Sequence, residues 1–304
     1  MWNWAQPLEI VKKNCSNRMT GHRKRGLYEA MTRAAEWRTE VQDWLDLKDA
    51  TCIVTGATGG LGRAMTLGFL RAGARVAMMD RTAEVDADFS AQLADAGGEY
   101  RLYGVDVRDR NQIREAVAAT VQQLGTPRVL VNNAALSAPA PLAELSTDRM
   151  QDQFAVNLGG YLQCAQAFRE LRDPHLPASI VNIASIAGRN AQPNSGGYSS
   201  TKAAILMLSQ QMAVEWGPEG IRTNSVSPGL FLTPLTQKFY ADPDDRRRRE
   251  EVVPLRRIGD AEELANAVLF LASSRSSYVN GGEIIVDGGF SQTLMSHIPR
   301  AYGR

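Results

Sequence analysis

The sequence predicts a doubly wound α/β fold, with about seven parallel strands and helices on both faces. Three observations point there. Strand-like and helix-like segments alternate from Thr51 to Val286, the pattern of a parallel sheet covered on both sides. A glycine-rich turn joins the first strand of that array to its first helix. Residues suited to binding and proton transfer follow the carboxyl ends of several strands, where open α/β sheets bind ligands.

The chain begins differently. Residues 1–45 carry Trp4, Trp37 and Trp44 and a basic cluster, His22-Arg23-Lys24-Arg25. Leu27, Met31, Ala34, Val41 and Leu45 recur near helical spacing. We expect a helical extension that packs on its own domain or on a neighbouring subunit. Glu29, Glu36, Glu40 and Asp43 dilute the basic character, which argues against a membrane-surface or acidic-partner role.

The first strand, Thr51-Cys52-Ile53-Val54-Thr55, runs into Gly56-Ala57-Thr58-Gly59-Gly60-Leu61-Gly62, and an amphipathic stretch continues to Ala72. Strand, glycine turn and helix start together form a phosphate cradle. Glycine lets the backbone come close, and a helix N-terminus offers unpaired N–H groups to a pyrophosphate. The next strand, Arg75 to Met79, ends in Asp80, 20 residues beyond Gly60. A ribose-binding carboxylate belongs there. Gly56, Thr58, Gly59, Gly60, Leu61, Gly62 and Asp80 are therefore candidates for binding a dinucleotide. Asp80 can accept bonds from the ribose hydroxyls of NAD and would repel the 2′-phosphate of NADP. Gly59 offers no basic side chain, whereas Arg81 could bind a phosphate. NAD is the expected cofactor, with NADP less favoured.

Further strand-like runs are Tyr100 to Val105, Val129 to Asn132, Ser179 to Ile183, Arg222 to Val226 and Glu283 to Val286. Helix-like stretches fall near Val85 to Ala96, Gln112 to Leu124, Arg149 to Leu171, Tyr198 to Trp216 and Ala261 to Ala272. Asp106 and Val107 follow the third strand, and Asn132-Asn133-Ala134-Ala135 closes the fourth. Ser185 follows the fifth and Pro228-Gly229 the sixth.

Tyr198 and Lys202 stand four apart, one helical turn from each other on one face. A free tyrosine titrates near pH 10, so it is a poor base at neutral pH. An ammonium about 4 Å away supplies roughly the 3 to 4 kcal/mol needed to lower it by 2 to 3 units, at an effective dielectric near 20. Alone, the pair reads first as a lysine stem lying on a ring.

Composition excludes several classes. The net charge of +1 supplies no field for nucleic acid. Cys15, Cys52 and Cys164 are far apart and odd in number, as are His22, His175 and His297. We therefore expect no disulfide framework, no metal site and a reducing, cytoplasmic setting. No apolar run approaches the roughly 18 residues that span a bilayer, so no stable membrane insertion is expected.

Taken together, the motifs resemble the short-chain dehydrogenase/reductase family, in its simple single-domain branch. The resemblance rests on residues 55–62, Asp106, Asn132-Asn133-Ala134-Ala135, Val156-Asn157, Ser185, residues 198–202, residues 228–234 and the closing stretch 280–289. It covers about residues 46–290 and leaves the extension unexplained. Ala135 departs from the glycine common in the family. The resemblance implies a Rossmann-type domain over 46–290, followed by a tail over 291–304. It makes Tyr198 the general acid/base and Lys202 the group that lowers its pKa and holds the nicotinamide ribose. Ser185 would bind the substrate oxygen, and Asn157 would support a proton relay. Asp106, Val107, Asn133, Ala134, Ala135, Pro228, Gly229, Phe231 and Thr233 would line the cofactor. It also implies a mobile lid near 230–256 and a homodimer or homotetramer.

The expected function is NAD(H)-dependent interconversion of a secondary alcohol and a ketone, on a sugar-like or small polar substrate. Arg189, Gln192 and Asn194 hint at such a substrate, although exposed loop residues would look the same. The alternatives are an NADP(H)-dependent ketoreductase of the acyl or polyketide type and a non-catalytic dinucleotide sensor. The run Arg246 to Arg249 sits among Asp242, Asp244, Asp245, Glu250 and Glu251 and reads as a salt-bridged, solvated helix face.

Overall fold

A computed structural model describes residues 44–233 and 236–298. The N-terminal extension as far as residue 43, Pro234, Leu235 and the last six residues lie outside them. The described residues from Leu45 onward form one compact unit.

Its elements alternate as the sequence predicts. They are β1 (Thr51–Thr55), α1 (Gly60–Arg71), β2 (Arg75–Asp80), α2 (Ala87–Ala96), β3 (Tyr100–Gly104), α3 (Arg110–Leu124), β4 (Pro127–Asn132), α4 (Thr147–Phe154), α5 (Gly160–Leu171), β5 (Ala178–Ile183), α6 (Tyr198–Trp216), β6 (Ile221–Pro228), α7 (Pro243–Val252), α8 (Ala261–Ala272) and β7 (Glu283–Val286). The seven strands form one sheet in the order β3-β2-β1-β4-β5-β6-β7. Every pairing is parallel. The order reverses between β1 and β4, which makes their carboxyl ends the switch point.

Strand alternation divides the core in two. Val54, Val76, Met78, Val131 and Val181 face one layer, with Phe69 of α1 and Leu264 and Val268 of α8. Their neighbours Ile53, Ala77, Met79, Leu130 and Ile180 face the other, with Ile113 of α3, Phe168 of α5 and Met212 of α6. Successive side chains on a strand point to opposite faces, so one apolar strand serves both layers. At about 25 cal/mol per Å² of apolar area buried, these two layers supply the main stabilising term.

Caps set several boundaries. Asp86 accepts from Phe89 N (2.8 Å) and starts α2 two residues later than the periodicity suggests. Asp109 accepts from Asn111 N (2.9 Å) and starts α3 two residues earlier. The stretch predicted as one helix from Arg149 to Leu171 is interrupted, because Ala155–Gly159 forms a π turn between α4 and α5. Such single wide turns cluster at functional sites.

Helix α7 carries the arginine run as an exposed, salt-bridged face, as expected. Arg246 pairs with Glu250 (2.8 Å), Arg247 with Asp244 (3.1 Å) and Arg248 with Asp245 (3.7 Å).

Candidate active site

The glycine turn is closed against its surroundings. Gly56 has φ of +63°, a conformation that favours glycine, and its N–H donates to Met79 O at 2.8 Å. A Cβ at Gly62 would lie 2.0 Å from Gly56 O, and one at Gly56 would lie 2.8 Å from Ala134 Cα. The cradle therefore has room only for backbone. Gly59 caps α1 without a side-chain acceptor, so no capping side chain occupies the first N–H groups of that helix. Gly60 and Leu61 form its first turn.

Two neighbours complete this region. Asp80 Oδ2 accepts from Thr58 N (3.0 Å) and from the Thr58 hydroxyl (2.7 Å), fastening the end of β2 to the turn. The Asn133 amide donates to Thr55 O and Gly56 O, both at 3.0 Å. Thr55 Oγ1 accepts from the backbone N–H groups of Asn133 (2.9 Å) and Ala134 (3.1 Å). Thr55 was not among the expected site residues, yet it sets the spacing of β1 and β4. Backbone cradle, open helix terminus and the acid at the end of β2 fit a dinucleotide.

A second cluster lies beyond β5. Ser185 is extended, with φ of −172°, and its hydroxyl accepts from Ala187 N at 3.1 Å. Tyr198 is the first residue of α6 and Lys202 follows one turn later. Lys202 Nζ donates to Ile183 O (2.7 Å) and to the Tyr161 hydroxyl (3.4 Å), and it lies 5.5 Å from the Tyr198 ring centre. The Tyr161 hydroxyl itself donates to Ile183 O at 3.1 Å. Tyr161 is a further site residue absent from the sequence expectations. A Cβ at Gly188 would lie 2.7 Å from the Lys202 carbonyl carbon, so the turn carrying Ser185 packs directly on α6.

Burial raises the Tyr198 phenol above its ordinary value, and a hydrogen bond with the Ser185 side chain opposes that rise. Burial also lowers Lys202 from 10.5 to about 7. The arithmetic of an exposed ammonium beside a phenol omitted its desolvation. Lys202 is only 1 % exposed, and a charge held there loses its hydration.

Asn157, on the π turn, is fully used. Its Oδ1 accepts from Leu136 N (2.7 Å), and its Nδ2 donates to Leu136 O (3.0 Å) and to Thr201 Oγ1 (3.0 Å). The side chain therefore joins the loop after β4 to α6 and holds that loop in place. Gln153, one turn earlier and buried, accepts from Gly197 N at 2.7 Å, just before Tyr198.

Other expected residues divide. Pro228 ends β6, and Gly229 N donates to Val286 O at 2.9 Å; a Cβ at Gly229 would lie 2.5 Å from Asp287 Cβ. Thr233 is bonded to Thr236, its N–H donating to the Thr236 hydroxyl at 2.9 Å. Ala135 is exposed beside half-buried Ala134. The side chains of Val107 and Phe231 are core residues, packed beside Gly160 and Gly259, so only their backbones could serve a cofactor. Asp106 is bonded to Arg108, whose guanidinium holds that carboxyl below its ordinary range. Arg81 is exposed. Of the polar loop residues, Arg189 pairs with Glu283 of β7, while Gln192 and Asn194 are exposed. Among the described residues, no His, Cys, Asp and Glu group could hold a metal, and no helix is long and apolar enough to cross a membrane.

Comparison with known proteins agrees with this geometry. A family model described as enoyl-(acyl carrier protein) reductase matches residues 56–291. Gluconate 5-dehydrogenase of Gluconobacter oxydans is 33% identical over 252 residues, covering 83% of this chain and 98% of that one. A short-chain type dehydrogenase/reductase from Mycobacterium marinum superposes with a TM-score of 0.76 at 32% identity, covering 82% of this chain and 98% of the other. The chain belongs to the short-chain dehydrogenase/reductase family. A family member from Burkholderia cenocepacia, a gluconate 5-dehydrogenase in complex with NADP and tartrate, gives a TM-score of 0.74 at 31% identity, covering 81% and 97%. As a short-chain dehydrogenase/reductase, the chain is an oxidoreductase acting on CH–OH groups, and its family uses a nicotinamide dinucleotide.

Proposed function

We propose that the protein interconverts a secondary alcohol and its ketone on a small polar, sugar-like substrate, with NAD(H) as cofactor. The loop after β4 carries the reading. Asn133 bonds it to the glycine turn at one end, and Asn157 bonds it to Leu136 and Thr201 at the other. The dinucleotide cradle and the Tyr198 helix thus share one wall.

A bound nicotinamide supplies the hydride acceptor and donor. Gly56, Gly59 and Gly62 with the α1 terminus would hold its pyrophosphate, and Asp80 its ribose. Tyr198 exchanges the proton of the substrate hydroxyl, and Ser185 hydrogen-bonds the same oxygen, where charge develops. Lys202 and Tyr161 fix the floor beneath the phenol through Ile183 O. Asn157 and Gln153 keep loop and helix in register.

NAD is favoured because the Asp80 carboxylate, tied to Thr58, would accept bonds from ribose hydroxyls and repel a 2′-phosphate. Arg63, the nearest cation on α1, is engaged by Thr58 O (2.7 Å) and by Asp86. The NADP-bound relative and the exposed Arg81 are the counterweights. The sugar-like substrate follows the gluconate relatives. The proposal keeps an extension over 1–45, a catalytic domain over 46–290 and a tail over 291–304. It also keeps a dimer or tetramer, because α6 leaves Met207 (61 %) and Val214 (77 %) exposed on its outer face. The cytoplasmic placement rests on Cys52 and Cys164, which are free and buried.

The test is absorbance of reduced nicotinamide across a panel of polyols, sugar acids and ketones, with both cofactors. Turnover with NADH and a polyol or sugar-acid pair is expected. Preference for NADPH with acyl ketones would replace this reading, and cofactor binding without any turnover would make the protein a sensor.

A further inference from the structure

A cavity of about 520 Å³ opens at the end of the sheet opposite the glycine turn and Ser185. It lies among the amino-terminal ends of β1, β4, β5 and β6, lined by Ala50, Val129, Ala178 and Ile221. None of its lining residues belongs to the site described above.

Two arginines line it. Arg128, the second residue of β4, is half-buried. Its Nε is buried with no hydrogen-bond partner, and its guanidinium has no hydrogen bond or ion pair among the described residues. Its charge opposes the rise that burial imposes on the Cys52 thiol. Arg222, the second residue of β6, donates to the carbonyls of Leu271 (3.1 Å), Ser273 (3.0 Å) and Val279 (3.4 Å), but among the described residues it meets no carboxylate. The cavity wall also includes Asp46, which is exposed and forms no ion pair among the described residues. Two positive charges thus face one negative charge within a concave wall, which focuses a positive potential.

A half-buried guanidinium without partners costs stability until an acceptor arrives. Its planar fork matches the two oxygens of a carboxylate or phosphate. The accessible wall also carries Pro177 and Tyr278, both exposed, and it suits a short hydrocarbon or aromatic body.

We infer that this cavity binds a small organic anion, its carboxylate or phosphate head on Arg128 and its apolar body against Pro177 and Tyr278. The site is independent of the proton-transfer cluster.

Calorimetric titration of the full-length protein with benzoate, phenyl phosphate and the uncharged analogue benzamide tests it. At least one anion is expected to bind saturably, with benzamide much weaker. The two anions separate a carboxylate from a phosphate preference. Arg128→Gln should weaken binding about tenfold or more, the loss of a charge-assisted pair, while NADH binding stays unchanged. Arg128→Met, which also removes the charge, should do the same, and thermal melts establish that both variants fold. Absence of saturable binding by either anion would overturn the inference. So would equal affinity in wild type and both Arg128 variants, which would place the anion elsewhere, or equal affinity for benzamide.

Discussion

Lys202 Nζ lies 2.7 Å from Ile183 O, so the last residue of β5 holds the amine that sits one turn beyond Tyr198. That contact occurs in a buried setting, which makes the stability of the fold depend on pH. Lys202 titrates at about 7 in the folded protein, against 10.5 ordinarily. Below about pH 7 both folded and unfolded chains carry the proton, and the fold bears the full cost of burying it. Between about 7 and 10.5 the unfolded chain binds a proton that the folded chain lacks, so stability rises with pH. Lys202→Met should therefore gain most, relative to wild type, below pH 7. That advantage should shrink as pH climbs toward 10.5. Urea melts at several pH values measure it, and a pH-independent difference would contradict the buried-charge account.

Tyr198→Phe keeps the ring and removes the proton. Turnover should fall about 100- to 10,000-fold, the usual worth of a general acid/base, with NADH affinity unchanged in a fluorescence titration. Retained turnover would take Tyr198 out of the mechanism.

Gly62→Ala tests the cradle. The new methyl would sit 2.0 Å from Gly56 O, a backbone atom that cannot step aside alone. We expect lost dinucleotide binding, with a destabilisation of about 1–3 kcal/mol typical of overpacking. Calorimetry with NADH and a thermal melt read the two effects separately. Normal affinity in the variant would mean the cofactor does not use this turn.

Asp80→Asn removes the carboxylate charge at the end of β2. The kcat/KM ratio for NAD over NADP should drop by about tenfold or more, equivalent to roughly 1.4 kcal/mol. An unchanged ratio would assign cofactor choice to another residue.

Much of this molecule was legible in the sequence. The strands announced themselves as apolar runs between helical stretches, and the glycine turn and Asp80 stood at a recognisable separation. Local pattern cannot report what tertiary packing does to a side chain. Phe231 follows Pro228-Gly229 in sequence, yet its ring is 5 % exposed and packs beside Gly259. Arg189 follows Ser185 but is drawn to Glu283 on the edge strand. Lys202 and Tyr198 have the expected spacing, but spacing does not encode the desolvation that acts on both of them. The π turn was hidden because Gly159-Gly160 reads as tolerable within a helix.

That wide turn brings three supports into line. Gln153 reaches Gly197, Asn157 reaches Leu136 and Thr201, and Tyr161 reaches Ile183. They stand four apart, and four residues of an ordinary α-helix overshoot a full revolution by about 40°. The slacker winding of Ala155–Gly159 lessens that overshoot. Losing one residue between Gln153 and Asn157 would turn the supports on either side of the gap out of phase and leave Tyr198 unbraced on an intact sheet.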